Sequence, residues 1–261
     1  MTPRMRYVTV GILAVAVIYV GLEVTARLLL APNRIDLEAE HPYLLETTWH
    51  QVGEYARFVP QDDDVGCWAT AIAQIAHFHR LNPTGKVRYR TSLGHEVAIG
   101  LDDYAYQQDQ LVPRIDDTTE AAAREQVARY LFSTAALIYT DFGSSGYLEH
   151  ETFVERVQKH LGVAVGFHEF TKERFLREQD AIRSLVVGEI DARRPLMLYF
   201  DNGKDFGHAA ALDGYALVDD RFLVHLNMGS GGKHDGWYDL FDRLIGSRDD
   251  LQTRFLVTIA P

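Results

Sequence analysis

The chain has 261 residues, 47% of them hydrophobic and 11% aromatic, which excludes wholesale disorder and fits one sizeable domain or two small ones. The formal net charge of −11 opposes binding to phosphate backbones, so we expect no nucleic-acid partner. The single cysteine excludes an intramolecular disulfide.

The N-terminus carries an apolar run. Residues 7–22 are uncharged and follow Arg4 and Arg6, a pattern typical of an export signal or a membrane anchor. Cleavage after Ala26 and retention as an anchor both stay open. Residues 1–31 are therefore predicted to be a signal anchor or signal peptide, and residues 32–261 one folded domain. We expect the domain to be anchored in the membrane and to face the periplasm or the cell exterior, or to be secreted if the N-terminal segment is cleaved.

Helical patterns fill the first part of this domain. Capping boxes are predicted at the second and third helices, from Asp117 with Glu120 and from Thr152 with Glu155, and Gly162 is predicted to end the third. The predicted helices are Cys67–Arg80, Thr118–Tyr139, Phe153–Leu161 and Lys172–Ala192.

Short apolar stretches separated mostly by Gly, Asp and Asn follow the helices and predict strands. They are Pro195–Phe200, Ala209–Tyr215, Phe222–Asn227, Gly236–Leu240 and Phe255–Ala260. Helices first and an antiparallel sheet afterwards indicate the α+β class.

Two residues of this pattern carry candidate chemistry. Cys67 follows Gly66 and begins the first helix, where free backbone N–H groups stabilise a thiolate, so we expect a lowered thiol pKa. His208 follows Gly207 at the start of a strand, and its imidazole titrates in the range that a general base needs. A cysteine and a histidine are more often buried structural residues, so each signal is weak alone.

Two further residues are candidates to complete the site. Asn227 ends the next strand, and its side-chain carbonyl is predicted to accept the N–H of the imidazole and fix its tautomer. Gln61 lies six residues before Cys67 and is predicted to stabilise an oxyanion together with the Cys67 N–H. The aspartates at 62–64 would oppose a thiolate if they lie close to it, or attract basic substrates.

These segments resemble the streptopain-like cysteine peptidases of the papain superfamily. The order Gln, Cys, His, Asn is that of the superfamily, and the segment from Gly66 to Ala71 resembles the Gly-Cys-Val-Ala-Thr-Ala of the narrower family. Other similar segments are Phe142–Gly146, Glu189–Leu196, Gly207–His208, Asp213–Tyr215 and Asn227–Tyr238. The resemblance implies a papain-like fold, in which an N-terminal helical half carrying the nucleophile helix packs on a C-terminal antiparallel sheet.

The resemblance also implies a thiol-dependent peptidase with a protein or peptide substrate. We expect no cofactor and no metal, because His77 and His79 lie on different faces of a helix and no calcium-loop pattern follows the aspartates at 62–64. Met228 and Ser230 stand where the family usually has two tryptophans that shield the histidine. Two alternatives therefore stay open: a thiol acyl-transferase or amidase on the same scaffold, and a catalytically weak, membrane-tethered binding module. The oligomeric state is also left open.

Overall fold

A computed structural model of the protein describes residues 35, 37, 41–144, 146–204, 206–242, 244 and 252–261. The signal anchor or signal peptide predicted over residues 1–31 lies outside these residues. Among the helices of the described residues, none combines the length and the apolar character needed to cross a bilayer.

Five α-helices lie within the described residues: α1 Cys67–Phe78, α2 Ala121–Leu137, α3 Phe153–Leu161, α4 Lys172–Arg177 and α5 Gln179–Asp191. The α3 prediction is confirmed at both ends, and Gly162 ends that helix in the left-handed conformation, with φ +68°. The helix predicted over residues 172–192 is divided into α4 and α5, because Glu178 leaves helical geometry between them.

Neither predicted capping box forms. No side-chain cap bond is present at the start of α2 or of α3. Before α2, the carboxylate of Asp116, not that of Asp117, accepts a main-chain hydrogen bond. Its donor is the Thr118 N–H at 2.9 Å, and this bond closes a turn that precedes the helix. The helix consequently begins at Ala121, three residues later than predicted.

Eight strands form two antiparallel sheets within the described chain. The strands are β1 Lys86–Arg90, β2 Glu96–Gly100, β3 Ala164–Glu169, β4 Leu196–Asp201, β5 Gly207–Val218, β6 Arg221–Asn227, β7 Gly236–Asp239 and β8 Gln252–Ala260. The first two pair as a hairpin, and the other six form one sheet in the order β3-β8-β4-β5-β6-β7. The five predicted strands are confirmed and the α+β class with them, whereas β1, β2 and β3 were not predicted.

The six-stranded sheet is covered on both faces because apolar residues point alternately up and down its strands. On β4, Met197 packs into a core shared with α1 and the helical half, whereas Leu196 and Leu198 face α5. The helix α1 is almost wholly buried and packs against β5. This packing brings the start of α1 to the start of β5, and therefore Cys67 to the vicinity of His208.

Candidate active site

The Cys67 thiol lies at the first residue of α1. Gly66, directly before it, has φ +89°, a conformation that favours glycine. The main-chain N–H of Ala209, on β5, donates to the Cys67 sulfur. Burial nevertheless raises the pKa of the thiol to about 11, and the charge of Asp64 raises it further. The expectation of a lowered thiol pKa is therefore wrong for the free protein, because burial outweighs the helix start.

His208 lies at the second residue of β5 and faces the same cavity as Cys67. Its ring atom Nε2 lies 3.0 Å from the main-chain carbonyl oxygen of Met228. A carbonyl oxygen can only accept, so Nε2 carries the proton and Nδ1 keeps a free lone pair. Burial lowers the pKa of this imidazole, which favours the neutral ring. The ring of Phe200 packs edge-on against the imidazole, with ring centroids 5.8 Å apart. Phe200 thus shields part of the imidazole, as the two tryptophans replaced by Met228 and Ser230 are expected to do in the family.

Asn227 does not orient this ring. Its side-chain oxygen accepts from Gln74 Nε2 at 3.0 Å and from the Gly229 N–H at 3.1 Å. Its side-chain nitrogen donates to the Thr47 carbonyl. The predicted bond to His208 is therefore wrong, and the carbonyl of the next residue, Met228, takes that place. Asn227 acts one step away, since it holds the loop that presents the carbonyl.

The buried Gln74–Asn227 amide pair joins three parts of the site. Gln74 belongs to α1, and its side-chain oxygen accepts from the Trp49 N–H at 3.2 Å. Asn227 belongs to the end of β6. The pair thus connects the helix of Cys67, the segment around Trp49 and the loop that follows β6.

Gln61 is not placed near the thiol. It is exposed, has a left-handed φ of 59° and does not line the cavity. Gln51 lines the cavity instead, and its Nε2 lies 3.4 Å from the Gly229 carbonyl oxygen. The Val65 N–H donates to the Gln51 carbonyl at 2.9 Å, which brings Gln51 close to Cys67 although sixteen residues separate them. The predicted position of Gln61 beside the thiol is therefore wrong, and Gln51 is the glutamine that lines the cavity.

The cavity around the thiol has a volume of about 960 Å³ and a divided lining. One part is aromatic, formed by Trp68, Tyr147, Tyr199, Phe206 and Phe255. Another part is charged, formed by Asp63, Asp64, Asp201 and Lys204. Thiol, neutral imidazole and amide donor together form a set suited to acyl transfer.

Asp64 is the acidic neighbour that acts on the thiol. Its pKa is raised first by burial and then by the charge of Asp63, although its side chain remains open to solvent at the rim of the cavity. The main-chain N–H of Gly66 donates to it. Asp63 in turn accepts from the Gly143 N–H, and both residues line the cavity. Of the two effects expected from the aspartates, the structure shows the first: the charge of Asp64 raises the pKa of the Cys67 thiol and so disfavours the thiolate.

Groups of three His, Cys, Asp or Glu side chains arranged to hold a metal ion do not occur within the described ranges.

Comparison with known proteins gives three kinds of match. The model of the peptidase C10 family matches residues 49–238. Streptopain of Streptococcus pyogenes serotype M28 is 24% identical over 193 residues, which are 70% of this chain and 47% of the relative. Streptopain of serotype M1 gives the same values. The chain thus spans about half the length of these curated relatives.

Two solved structures from Prevotella intermedia are similar to this one. Active wild-type interpain A cysteine protease superposes with a TM-score of 0.65 and 20% identity, over 87% of this chain and 97% of that one. A fragment of prointerpain A superposes with a TM-score of 0.66 and 20% identity, over 87% and 75%. These likenesses confirm the papain-like fold.

Proposed function

Because this chain belongs to the peptidase C10 family, we propose that it is a cysteine peptidase with Cys67 as nucleophile and His208 as general base. The observation that carries the proposal is the shared cavity, in which the imidazole donates from Nε2 to the Met228 carbonyl and keeps Nδ1 free to accept a proton. Relatives of known activity support it, although the chain covers 47% of their length.

The proposed reaction starts from a neutral pair. As the Cys67 sulfur attacks the peptide carbonyl carbon, its proton moves to His208 Nδ1. The imidazolium then gives this proton to the leaving amine as the C–N bond breaks, and water hydrolyses the remaining thioester. The Cys67 N–H and Gln51 Nε2 stabilise the oxyanion. The 3.4 Å contact of Gln51 with the Gly229 carbonyl is long, so the amide is readily released to the substrate.

A pair of cysteine variants tests this function. Cys67→Ala and Cys67→Ser should keep the circular dichroism spectrum and melting temperature of the wild type but lose hydrolysis of a fluorogenic peptide library. Hydrolysis that persists in Cys67→Ala would disprove the mechanism. Adding hydroxylamine to the wild type shows whether an amine captures the acyl group in preference to water, as in a thiol acyl-transferase. Peptide binding without turnover would identify a binding module.

We further propose that the protein is exported and held at a membrane by its N-terminal segment. The support is the uncharged run over residues 7–22 behind Arg4 and Arg6. Full-length protein should sediment with membranes after a high-salt or carbonate wash, with its original N-terminus. An N-terminus near Arg27 in a soluble fraction would establish cleavage and secretion. Cytosolic full-length protein would contradict export.

A further inference from the structure

The loop between β6 and β7 carries the acceptor of His208 and has little stiffness of its own. Residues 228–235 include three glycines, and the first of them, Gly229, has a left-handed φ of 62°. At the start of this loop, the Met228 carbonyl accepts from His208 Nε2 at 3.0 Å. The orientation of the imidazole therefore depends on what holds Met228 in place.

Asp235, the last residue of this loop, holds Met228 by a hydrogen bond across the loop. Its carboxylate oxygen Oδ1 accepts from the Met228 N–H at 2.7 Å. Both ends of this bond are attached to paired strands, because Leu226 of β6 lies opposite Gly236 of β7. The partly buried carboxylate thus connects the first residue of the loop to the start of the next strand.

Different side chains fix the two peptide groups on either side of the Met228 Cα. The peptide group before it donates its N–H to Asp235. The peptide group after it contains the carbonyl that is bonded to His208, and its own N–H, that of Gly229, donates to Asn227 at 3.1 Å. Because peptide groups are planar, fixing both of them leaves the carbonyl one direction, which is toward the imidazole. Asn227 fixes only the second group.

Loss of this orientation would affect the base directly. The Ser230 hydroxyl lies 3.4 Å from the same carbonyl oxygen, so a second donor is present when the carbonyl turns away from the imidazole. An imidazole without its acceptor is free to turn or to carry its proton on Nδ1. In the proposed reaction, Nδ1 is the atom of His208 that must accept the proton of Cys67.

We propose that Asp235 is a positioning residue of the peptidase site, which holds Met228 so that its carbonyl keeps the His208 proton on Nε2 and leaves Nδ1 free. The inference rests on the proposed function for the role of His208 as general base. Asp235 does not line the cavity of Cys67, so it acts on the imidazole through Met228 and not on the substrate.

Exchange of the His208 ring proton with water tests the inference apart from catalysis. In full-length protein labelled with ¹⁵N-histidine, a hydrogen-bonded ring N–H gives a proton–nitrogen cross-peak, and His208→Gln identifies that of His208. Asp235→Ala should speed the exchange of this proton about tenfold to hundredfold, the range that a hydrogen bond to a charged acceptor contributes. Asp235→Asn keeps an acceptor oxygen for the Met228 N–H and should speed the exchange much less.

Asp239→Ala is the matched control. That carboxylate lies at the other end of β7, accepts from the N–H groups of Phe241 and Asp242 at 3.0 and 3.1 Å, and should leave the His208 proton unchanged. Asp235→Glu keeps the charge but moves the carboxylate oxygens outward by one methylene group. It should therefore speed the exchange as well, and it replaces Asp235→Ala if that variant does not fold.

Three results would each overturn this role of Asp235: no His208 cross-peak in the wild type, unchanged exchange in Asp235→Ala and Asp235→Glu, or an equal rise in Asp239→Ala. With a peptide that the wild type cleaves, Asp235→Ala should also lower kcat about tenfold to hundredfold and leave KM unchanged. Failure of the proposed function looks different: the exchange rates follow the expected order, but the wild type cleaves no peptide of the library.

Discussion

Replacing Asp64 by asparagine should make the Cys67 thiol more reactive. The pKa of this thiol rises from its ordinary value of 9.0 to about 11, which removes about 99% of the thiolate at neutral pH. Burial is the larger cause and the Asp64 charge the smaller one. Asparagine keeps an oxygen for the Gly66 N–H but carries no charge. We therefore expect Asp64→Asn to be alkylated about threefold to tenfold faster than the wild type. This gain recovers only a part of the roughly hundredfold loss of thiolate, because burial causes most of that loss.

The assay is the rate of alkylation by iodoacetamide from pH 6 to 11, with a protein that has no other cysteine. The profile of Asp64→Asn should shift to lower pH than that of the wild type. Because Asp64 is open to solvent, the difference should shrink in 1 M salt. Asp109→Asn is the control, since that carboxylate is exposed and pairs with Arg80. Coinciding profiles for Asp64→Asn and the wild type, or a shift to higher pH, would refute the electrostatic coupling.

Two further results are expected. Gln51→Ala should lower kcat for peptide hydrolysis by about 10²–10³-fold, the usual effect of losing an oxyanion donor, whereas Gln61→Ala should leave kcat unchanged. A larger loss of kcat in Gln61→Ala than in Gln51→Ala would show that Gln61 is the oxyanion donor. Arg156→Met should lower the free energy of unfolding in urea by about 3 kcal/mol, because the buried guanidinium donates to three main-chain carbonyls. Arg90→Met, at an exposed ion pair, should change it by less than about 0.5 kcal/mol, and equal losses would contradict this role for Arg156.

Local patterns were sufficient to identify the two residues that we propose as nucleophile and base. Cys67 begins a helix after a glycine and His208 lies at the start of a strand, and both features can be read from a few neighbouring residues. The helices and the last five strands were predicted for the same reason, since their apolar periodicity is local. The β1–β2 hairpin shows that period too, with alternating exposed and buried residues, and was missed although its signal was present.

The other site residues depend on contacts that no local pattern reveals. The segment after Gln51 turns back until the Val65 N–H meets the Gln51 carbonyl, so a spacing of six residues indicated the wrong glutamine. The acceptor for His208 is the main-chain carbonyl of Met228, and a carbonyl leaves no trace in the side-chain sequence. The thiol pKa likewise depends on burial by the assembled fold.

The amide pair of Gln74 and Asn227 has a consequence for how activity is lost. Hydrogen bonds of this buried pair connect three parts of the chain: the helix α1 that carries Cys67, the end of β6 just before Met228, and the segment at Trp49 just before Gln51. Detachment of any one of these three parts would leave a buried amide group of the pair without its partner, which is costly. A fragment ending after α3 would hold the cysteine without its base, and one beginning at β4 the base without its cysteine. The proposed peptidase activity should therefore vanish at the same denaturant concentration as the fold itself, with no folded but inactive intermediate on the way.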